Sequence, residues 1–193
     1  MPDKIRAFIA IKLPDFLKER LQEAQGTMLA NKIEAKYIPF NNMHLTLKFI
    51  GNMDIALLPE IKDILTECAQ YVKPIKITLK SIGVFPTIKL PKVMWAGIKG
   101  ETHKLEILNR KLEQKLSILG IQKEKRNYQG HLTLARFKKN RFNAKKFEKA
   151  MKQIGQLKSD RFTLDKLTLF QSKLMPKGPI YTELFSAKFG TKL

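Results

Sequence analysis

Apolar residues recur along this chain in two rhythms, one of period two and one of helical spacing, and the same succession of rhythms occurs twice. Arg6 to Lys12, RAFIAIK, is a run of β-forming residues closed by Leu13 and Pro14, and it predicts a strand. Leu17, Leu21, Ala24 and Met28 follow at helical spacing, with Pro14 and Asp15 suited to a first turn. KYIPF is a short extended piece broken by Pro39, and MHLTLKFIGN predicts a strand ended by the turn pair Gly51-Asn52. Leu58, Ile61, Leu65 and Cys68 with Ala69 mark a second amphipathic helix, and PIKITLKSIGVF a further strand. Pro86 and Pro91 bracket a basic loop.

The order then begins again. VMWAGIK, from Val93 to Lys99, predicts a strand; Leu105, Leu108, Leu112, Leu116 and Leu119 stripe a helix that Gly120 is placed to cap. GHLTLARF is the next strand, Phe147, Ala150, Met151 and Ile154 mark a shorter helix, RFTLDKLTLF predicts one more strand and IYTELFSAKF the last. VMWAGIK starts 87 residues after RAFIAIK (93 against 6), and His131 lies 87 residues after His44. With a slip of two, ITLKSIGVF from Ile77 aligns with FTLDKLTLF from Phe162. A period of this length is too long for a solenoid repeat. It implies an internal duplication within one domain spanning residues 1–193, with HLTL at 44–47 and again at 131–134. The expected fold class is α+β and bilobal: two pseudo-two-fold related lobes of antiparallel sheet, helices on the outer face, and a central active-site cleft.

Composition narrows the partners. Lys and Arg number 37 against 17 Asp and Glu, a formal net charge of +20, which favours a polyanion, with nucleic acid or a nucleotide the first candidate; a lysine-rich solvated surface would have the same composition. The single cysteine, Cys68, excludes an internal disulfide framework and suits a reducing compartment; at an apolar helical position it reads as a buried structural thiol. The N-terminal apolar run is too brief for a signal sequence or a membrane span, so a cytoplasmic protein with no membrane partner is expected.

The repeated tetrapeptide carries the chemistry. Of three histidines, His44 and His131 each open an HLTL, while His103 sits in an ordinary helical context. Side chains alternate along a strand, so His44 and Thr46 share one face and Leu45 and Leu47 the other, and likewise His131 and Thr133 against Leu132 and Leu134. Two imidazoles titrating near neutrality divide acid and base work, and two hydroxyls with nearby cations stabilise the added negative charge of a five-coordinate phosphorus. Two alternatives stand beside this: amphipathic strands with no chemistry, and a metal held by the two histidines, for which no third ligand occurs at a telling spacing.

Two H-x-T-x motifs half a chain apart, together with RAFIAIKLP, IGVFP, VMWAGIK, GHLTLAR and PKGPIY, resemble the 2H phosphoesterases, in particular the RNA 2′,3′-cyclic phosphodiesterase branch historically called 2′-5′ RNA ligase. The resemblance covers nearly the whole chain. It implies hydrolysis of a terminal 2′,3′-cyclic phosphate on RNA to a 2′-phosphate, with His44 as proton donor, His131 as proton acceptor, Thr46 and Thr133 binding phosphate, and Arg136 assisting there. No cofactor and no metal are implied, and the expected partner is RNA with 2′,3′-cyclic phosphate ends, acted on by a monomer. A non-catalytic RNA- or nucleotide-binding module on the same fold, or a reversible 2′-5′ ligase, are the alternative functions. Gly130 stands where the family often has proline, and Tyr128 occupies a usually aromatic position, able to stack on a base or to pack. Arg136 lies five residues after His131, which on a regular strand is the opposite face; a bulge or strand end has to re-aim it. Its counterpart in the first half is Phe49, so the two halves differ chemically. Lys89 and the stretch KEKRNY either guide RNA or are solvated, and Tyr181 is a core or a cleft residue.

Overall fold

Five consecutive residues of the first strand, β1 (Lys4–Lys12), are buried from Ala7 to Ile11, because this strand is covered on both faces. Ala7, Ile9 and Ile11 point into the main core, while Phe8 and Ala10 join Phe170 and Tyr181 on the other face of the sheet. The computed structural model describes residues 3–137, 142–155, 157, 159–176 and 178–190. Helix α1 (Asp15–Ala30) follows, then β2 (Lys36–Tyr37), a short 3₁₀ turn at Phe40–Asn42, β3 (His44–Asp54), a second turn at Ile55–Leu57 and α2 (Leu58–Gln70). The chain continues through β4 (Ile75–Phe85), β5 (Val93–Gly100), α3 (Thr102–Ile118), β6 (His131–Arg136), α4 (Ala144–Ile154), β7 (Phe162–Leu164), β8 (Lys166–Met175) and β9 (Gly178–Lys188). Lys177, within PKGPIY, lies outside the described residues.

All strands belong to one antiparallel sheet in the order β7-β4-β5-β6-β3-β1-β8-β9, with β2 pairing the far end of β6. The motif strands β3 and β6 are neighbours at its centre, β5 and β1 flank them, and β4 and β8 lie beyond. Six inter-strand intervals separate β7 from β8, about 29 Å on a flat sheet at roughly 4.8 Å each. Only Asp165 lies between those two strands along the chain, so the sheet curls into a half-barrel. At the centre the wings part. The register of β3 on β6 is Leu45 opposite Leu132, and β2 takes over beside β6 at Ala135 and Arg136.

The helices cover one face. The apolar stripes Leu17, Leu21, Met28 of α1 and Leu105, Leu108, Leu112, Leu116 of α3 are buried against Leu45, Leu47, Leu132 and Leu134, as the alternation of HLTL requires. Cys68 is buried in this core, which pushes its thiol up to about 11, in keeping with a structural role. Among the described residues no helix is long and apolar enough to cross a membrane.

Two boundaries differ from the pattern reading. RFTLDKLTLF is two strands: Phe162 to Leu164 pair with β4, whereas Lys166 onward pairs with β9 and β1. Consecutive exposed residues Asp165 and Lys166 break the alternation there, and the Asp165 carbonyl accepts from Phe189 N at 2.7 Å. The strand at HLTL also runs past Gly51-Asn52 to Asp54. Ala7 faces Gly51 and Phe8 faces Phe49, so Ile50 is an extra residue, and Gly51 with φ of 81° absorbs a bulge where a turn was expected.

Close backbone approach at Gly83 sets the position of Trp95, the single tryptophan, which lies opposite Thr133 and stacks on Phe85 at 4.9 Å between ring centroids. A Cβ at residue 83 would lie 2.3 Å from Trp95 Cζ2. Gly83→Ala is therefore expected to lower stability by about 1–3 kcal/mol, as overpacked cores do. Urea unfolding followed by indole emission checks this; an unchanged midpoint with an unchanged emission spectrum contradicts it.

Candidate active site

His44 and His131 stand at the first residues of β3 and β6, on the sheet face turned away from the helices. With Leu45 opposite Leu132 in an antiparallel pair, the next positions along the register set His44 opposite Thr133 and Thr46 opposite His131. The two imidazoles and two hydroxyls thus share one face of the sheet on either side of the Leu45–Leu132 pair.

Both rings are oriented alike. His44 Nδ1 lies 2.7 Å from the Asn42 carbonyl, and His131 Nδ1 lies 2.7 Å from the Gln129 carbonyl, each two residues upstream. A carbonyl only accepts, so each Nδ1 carries the proton and each Nε2 is left for other chemistry. Asn42 is itself anchored, its side-chain amide donating to the Pro179 carbonyl at 2.9 Å.

Their surroundings differ. His44 is wedged between Phe8 at 4.8 Å, Tyr181 at 5.4 Å and Phe170 at 6.4 Å between ring centroids, whereas His131 meets Phe85 edge-on at 5.3 Å. Burial among these rings pushes His44 down to about 4; the Asn42 carbonyl favours its charged form, and the Arg136 guanidinium opposes it. Tyr181 is thus a cleft residue, its phenol raised by burial against the pull of Arg136 and Arg6. Phe8, Phe85 and Phe170 were not singled out from the sequence. A signal existed, since the aligned segments ITLKSIGVF and FTLDKLTLF both end in phenylalanine, at Phe85 and Phe170.

A bulge resolves the direction of Arg136. Trp95 faces Thr133 and Met94 faces Ala135, so Leu134 is an extra residue on β6. Leu134 and Ala135 are buried in succession, and Arg136 emerges on the histidine face, where its charge reaches His44. The first half does the same. Ala10 faces Thr46 and Ile9 faces Lys48, so Leu47 is extra, Lys48 is buried, and Phe49 emerges 61% exposed.

Beside His131 and Thr46 a pocket of about 600 Å³ opens, walled by Phe49, Phe85, Lys92, Arg126, Asn127 and Tyr128. His44 does not line it, because Phe8, Phe170 and Tyr181 fill its side. Tyr128 packs: burial raises its phenol, whose hydroxyl donates to the Thr46 carbonyl at 3.3 Å. At Gly130 a Cβ would come within 2.9 Å of Ile98 Cδ1. Arg126, from KEKRNY, reaches the pocket, while Lys89 is not among its lining residues. A smaller cavity, about 380 Å³ near Glu67, Tyr71 and Lys111, lies away from both motifs. Among the described residues no three His, Cys, Asp or Glu side chains come together as a metal-binding group.

Residues 13–174 match the 2′-5′ RNA ligase superfamily, and the chain belongs to that family. It is 34% identical over 179 residues to the RNA 2′,3′-cyclic phosphodiesterase of Methanocaldococcus jannaschii, covering 92% of this chain and 96% of that one. It is 30% identical over 182 residues to the RNA 2′,3′-cyclic phosphodiesterase of Methanothermobacter thermautotrophicus, covering 94% and 97%. The fold is similar to the crystal structure of TT0787 of Thermus thermophilus, with a TM-score of 0.81, 25% identity, and coverage of 97% of this chain and all of that one.

The depressed His44 sets a pH dependence of stability. Below its ordinary value of 6.5 the unfolded chain takes up a proton that the folded chain, with His44 near 4, refuses; the unfolded state binds more protons and stability falls as pH falls across that window. His44→Gln removes this contribution. Urea midpoints between about pH 7 and pH 4.5 are expected to drop more steeply in the parent than in the variant; parallel slopes contradict the assignment.

Proposed function

We propose that the protein is an enzyme, an RNA 2′,3′-cyclic phosphodiesterase that opens a terminal 2′,3′-cyclic phosphate to a 2′-phosphate by acid–base catalysis between two histidines, without a metal ion. The observation that carries the proposal is the pair of carbonyl-locked imidazoles, each with Nε2 available, on adjacent strands and each two residues from a threonine on the same strand face. His131, on the open pocket side, takes a proton from water as its oxygen attacks phosphorus. The P–O3′ bond breaks, and His44 gives its proton to the departing 3′-oxygen. Thr46, Thr133 and Arg136 stabilise the extra charge of the five-coordinate state by hydrogen bonds and Coulomb attraction. The names of the relatives at 30–34% identity support the substrate class.

A donor must hold a proton, and in the free protein burial and Arg136 both disfavour one on His44. The bound phosphate offsets the Arg136 charge and restores the proton. The strand order, symmetric about the β3–β6 pair through β4 and β8, supports one domain built by duplication of a half. A cytoplasmic monomer completes the reading; the single buried cysteine is consistent with a reducing compartment.

Incubation with an RNA ending in a 2′,3′-cyclic phosphate, in EDTA, is expected to yield the 2′-phosphate, and His44→Ala or His131→Ala to lose about 10²–10⁴-fold in kcat. The alkaline limb of kcat/KM is expected at lower pH than that of kcat, because bound phosphate raises the proton affinity of the histidine pair, to which both limbs belong. A requirement for added divalent metal, or full activity in either variant, overturns the proposal. RNA binding with no turnover identifies a binding module instead.

A further inference from the structure

Each half of the molecule contributes a buried amide to the other half's bulge. Gln25, on the apolar stripe of α1 in the first half, donates from Nε2 to the Leu134 carbonyl at 2.9 Å and to the Ile38 carbonyl at 2.9 Å. Asn109, on the apolar stripe of α3 in the second half, donates from Nδ2 to the Leu47 carbonyl at 2.8 Å. Leu134 and Leu47 are the fourth residues of the two HLTL sequences and the extra residues of the two bulges. Gln25 and Asn109 are only 6% and 8% exposed, and Asn109 also borders the 600 Å³ pocket beside Lys48 and Glu113. A bulged residue leaves the regular ladder, and its buried carbonyl needs a donor from elsewhere. The Leu134 carbonyl also accepts from Ile38 N at 2.9 Å, and on the Leu47 side Lys48 Nζ is held by Glu113 of α3 at 2.7 Å and by the Gln122 carbonyl at 2.6 Å.

The direction of these bonds matters because β3 and β6 share a single register position, Leu45 on Leu132. Ladder hydrogen bonds therefore do little to hold one His-Thr pair against the other. The helices do it instead: α1 packs on β6 and α3 on β3, each crossing to the opposite half. We propose that Gln25 and Asn109 are positioning residues for the reaction, each holding the bulge of the other half's HLTL strand and through it that strand's His-Thr pair and the residue it re-aims, Arg136 or Phe49. The kinetic part of this inference rests on the acid–base reading of His44 and His131; the geometric part does not.

Three histidines make the geometric part readable by nuclear magnetic resonance of their ring protons. Gln25→Met and Asn109→Leu keep volume and remove the donor. Gln25→Met is expected to shift the His131 resonances, with any His44 shift following from the displaced Arg136 charge, and Asn109→Leu to shift those of His44, with any His131 shift following from the displaced Phe49 ring. A shift confined to the histidine of the same half, or no shift at either, overturns the proposal. On the cyclic-phosphate RNA both variants are expected to lose about tenfold or more in kcat, and Gln25→Met, remote from the pocket, to keep KM within about twofold, since small misplacement of reacting groups is paid in kcat. Leu112→Ala, on the same face of α3 without a bond to the bulge, is the control, and the kcat of its folded fraction is expected to stay at the parent value. Equal losses in the control and the amide variants reduce the amides to general packing and overturn the kinetic part. If the parent protein shows no turnover, the functional reading fails, while the ring shifts still decide the geometry. Should the apolar variants not fold, Gln25→Glu and Asn109→Asp retain shape and, when protonated, an O–H donor. The histidine rings are expected to lie nearer the parent's at low pH, where the acid keeps one donor, and to depart in the opposite half as the acid ionises; departures confined to the same half, or none, overturn the proposal.

Discussion

Leu45 and Leu132 face each other at the centre of the sheet, and the consequences of that one register position reach every part of the site. Because strand side chains alternate, seating both leucines in the core sends His44, Thr46, His131 and Thr133 to the other face together. A slip of one residue in either strand would send that strand's histidine under the helices and its leucines into the cleft. The hydrophobic effect on the helix side thus aligns polar groups on the side it never touches. The pairing ends almost at once, and the divergence of the two strands opens room for a ligand.

The bulges complete what the register begins. Without the extra residue at Leu134, Arg136 would share the face of Leu132; with it, a cation stands near His44 and Tyr181. The same device at Leu47 delivers Phe49 to the pocket wall. Identical backbone geometry therefore carries different chemistry in the two halves, and the aromatic packing differs as well. Three rings enclose His44 and one meets His131, so one imidazole is desolvated while the other borders an open pocket. Such unequal environments suit two groups of one type for opposite proton transfers.

Much of this was legible in the chain. The alternation in HLTL, the helical stripes and the common offset of 87 residues led to the helix and strand order and to two His-Thr pairs, each on the strand face away from its leucines. The hidden parts have identifiable causes. The division of RFTLDKLTLF depends on which strand each half of it pairs with, and that is a long-range matter. Gly51-Asn52 has the composition of a turn, yet the ladder to β1 continues through it because a bulge uses the same left-handed glycine that a turn would. Gln25 and Asn109 carry no signal in the apolar periodicity; only the carbonyls opposite them show why they are there.

By itself the sequence determined what local chemistry determines: which faces are apolar, where helices start and stop, and which residue types could move a proton or hold a phosphate. It also stated that a bulge or a strand end has to re-aim Arg136, since its parity against His131 is a count along the chain. Where the bulges fall, which side chain satisfies each carbonyl, which histidine lies under aromatic rings and which beside a pocket were decided by the tertiary structure alone. Those outcomes depend on contacts between residues as far apart as Gln25 and Leu134, brought together by the burial of two helices on a curled sheet. Periodicity along a chain records the environment of each residue but not the identity of its neighbour.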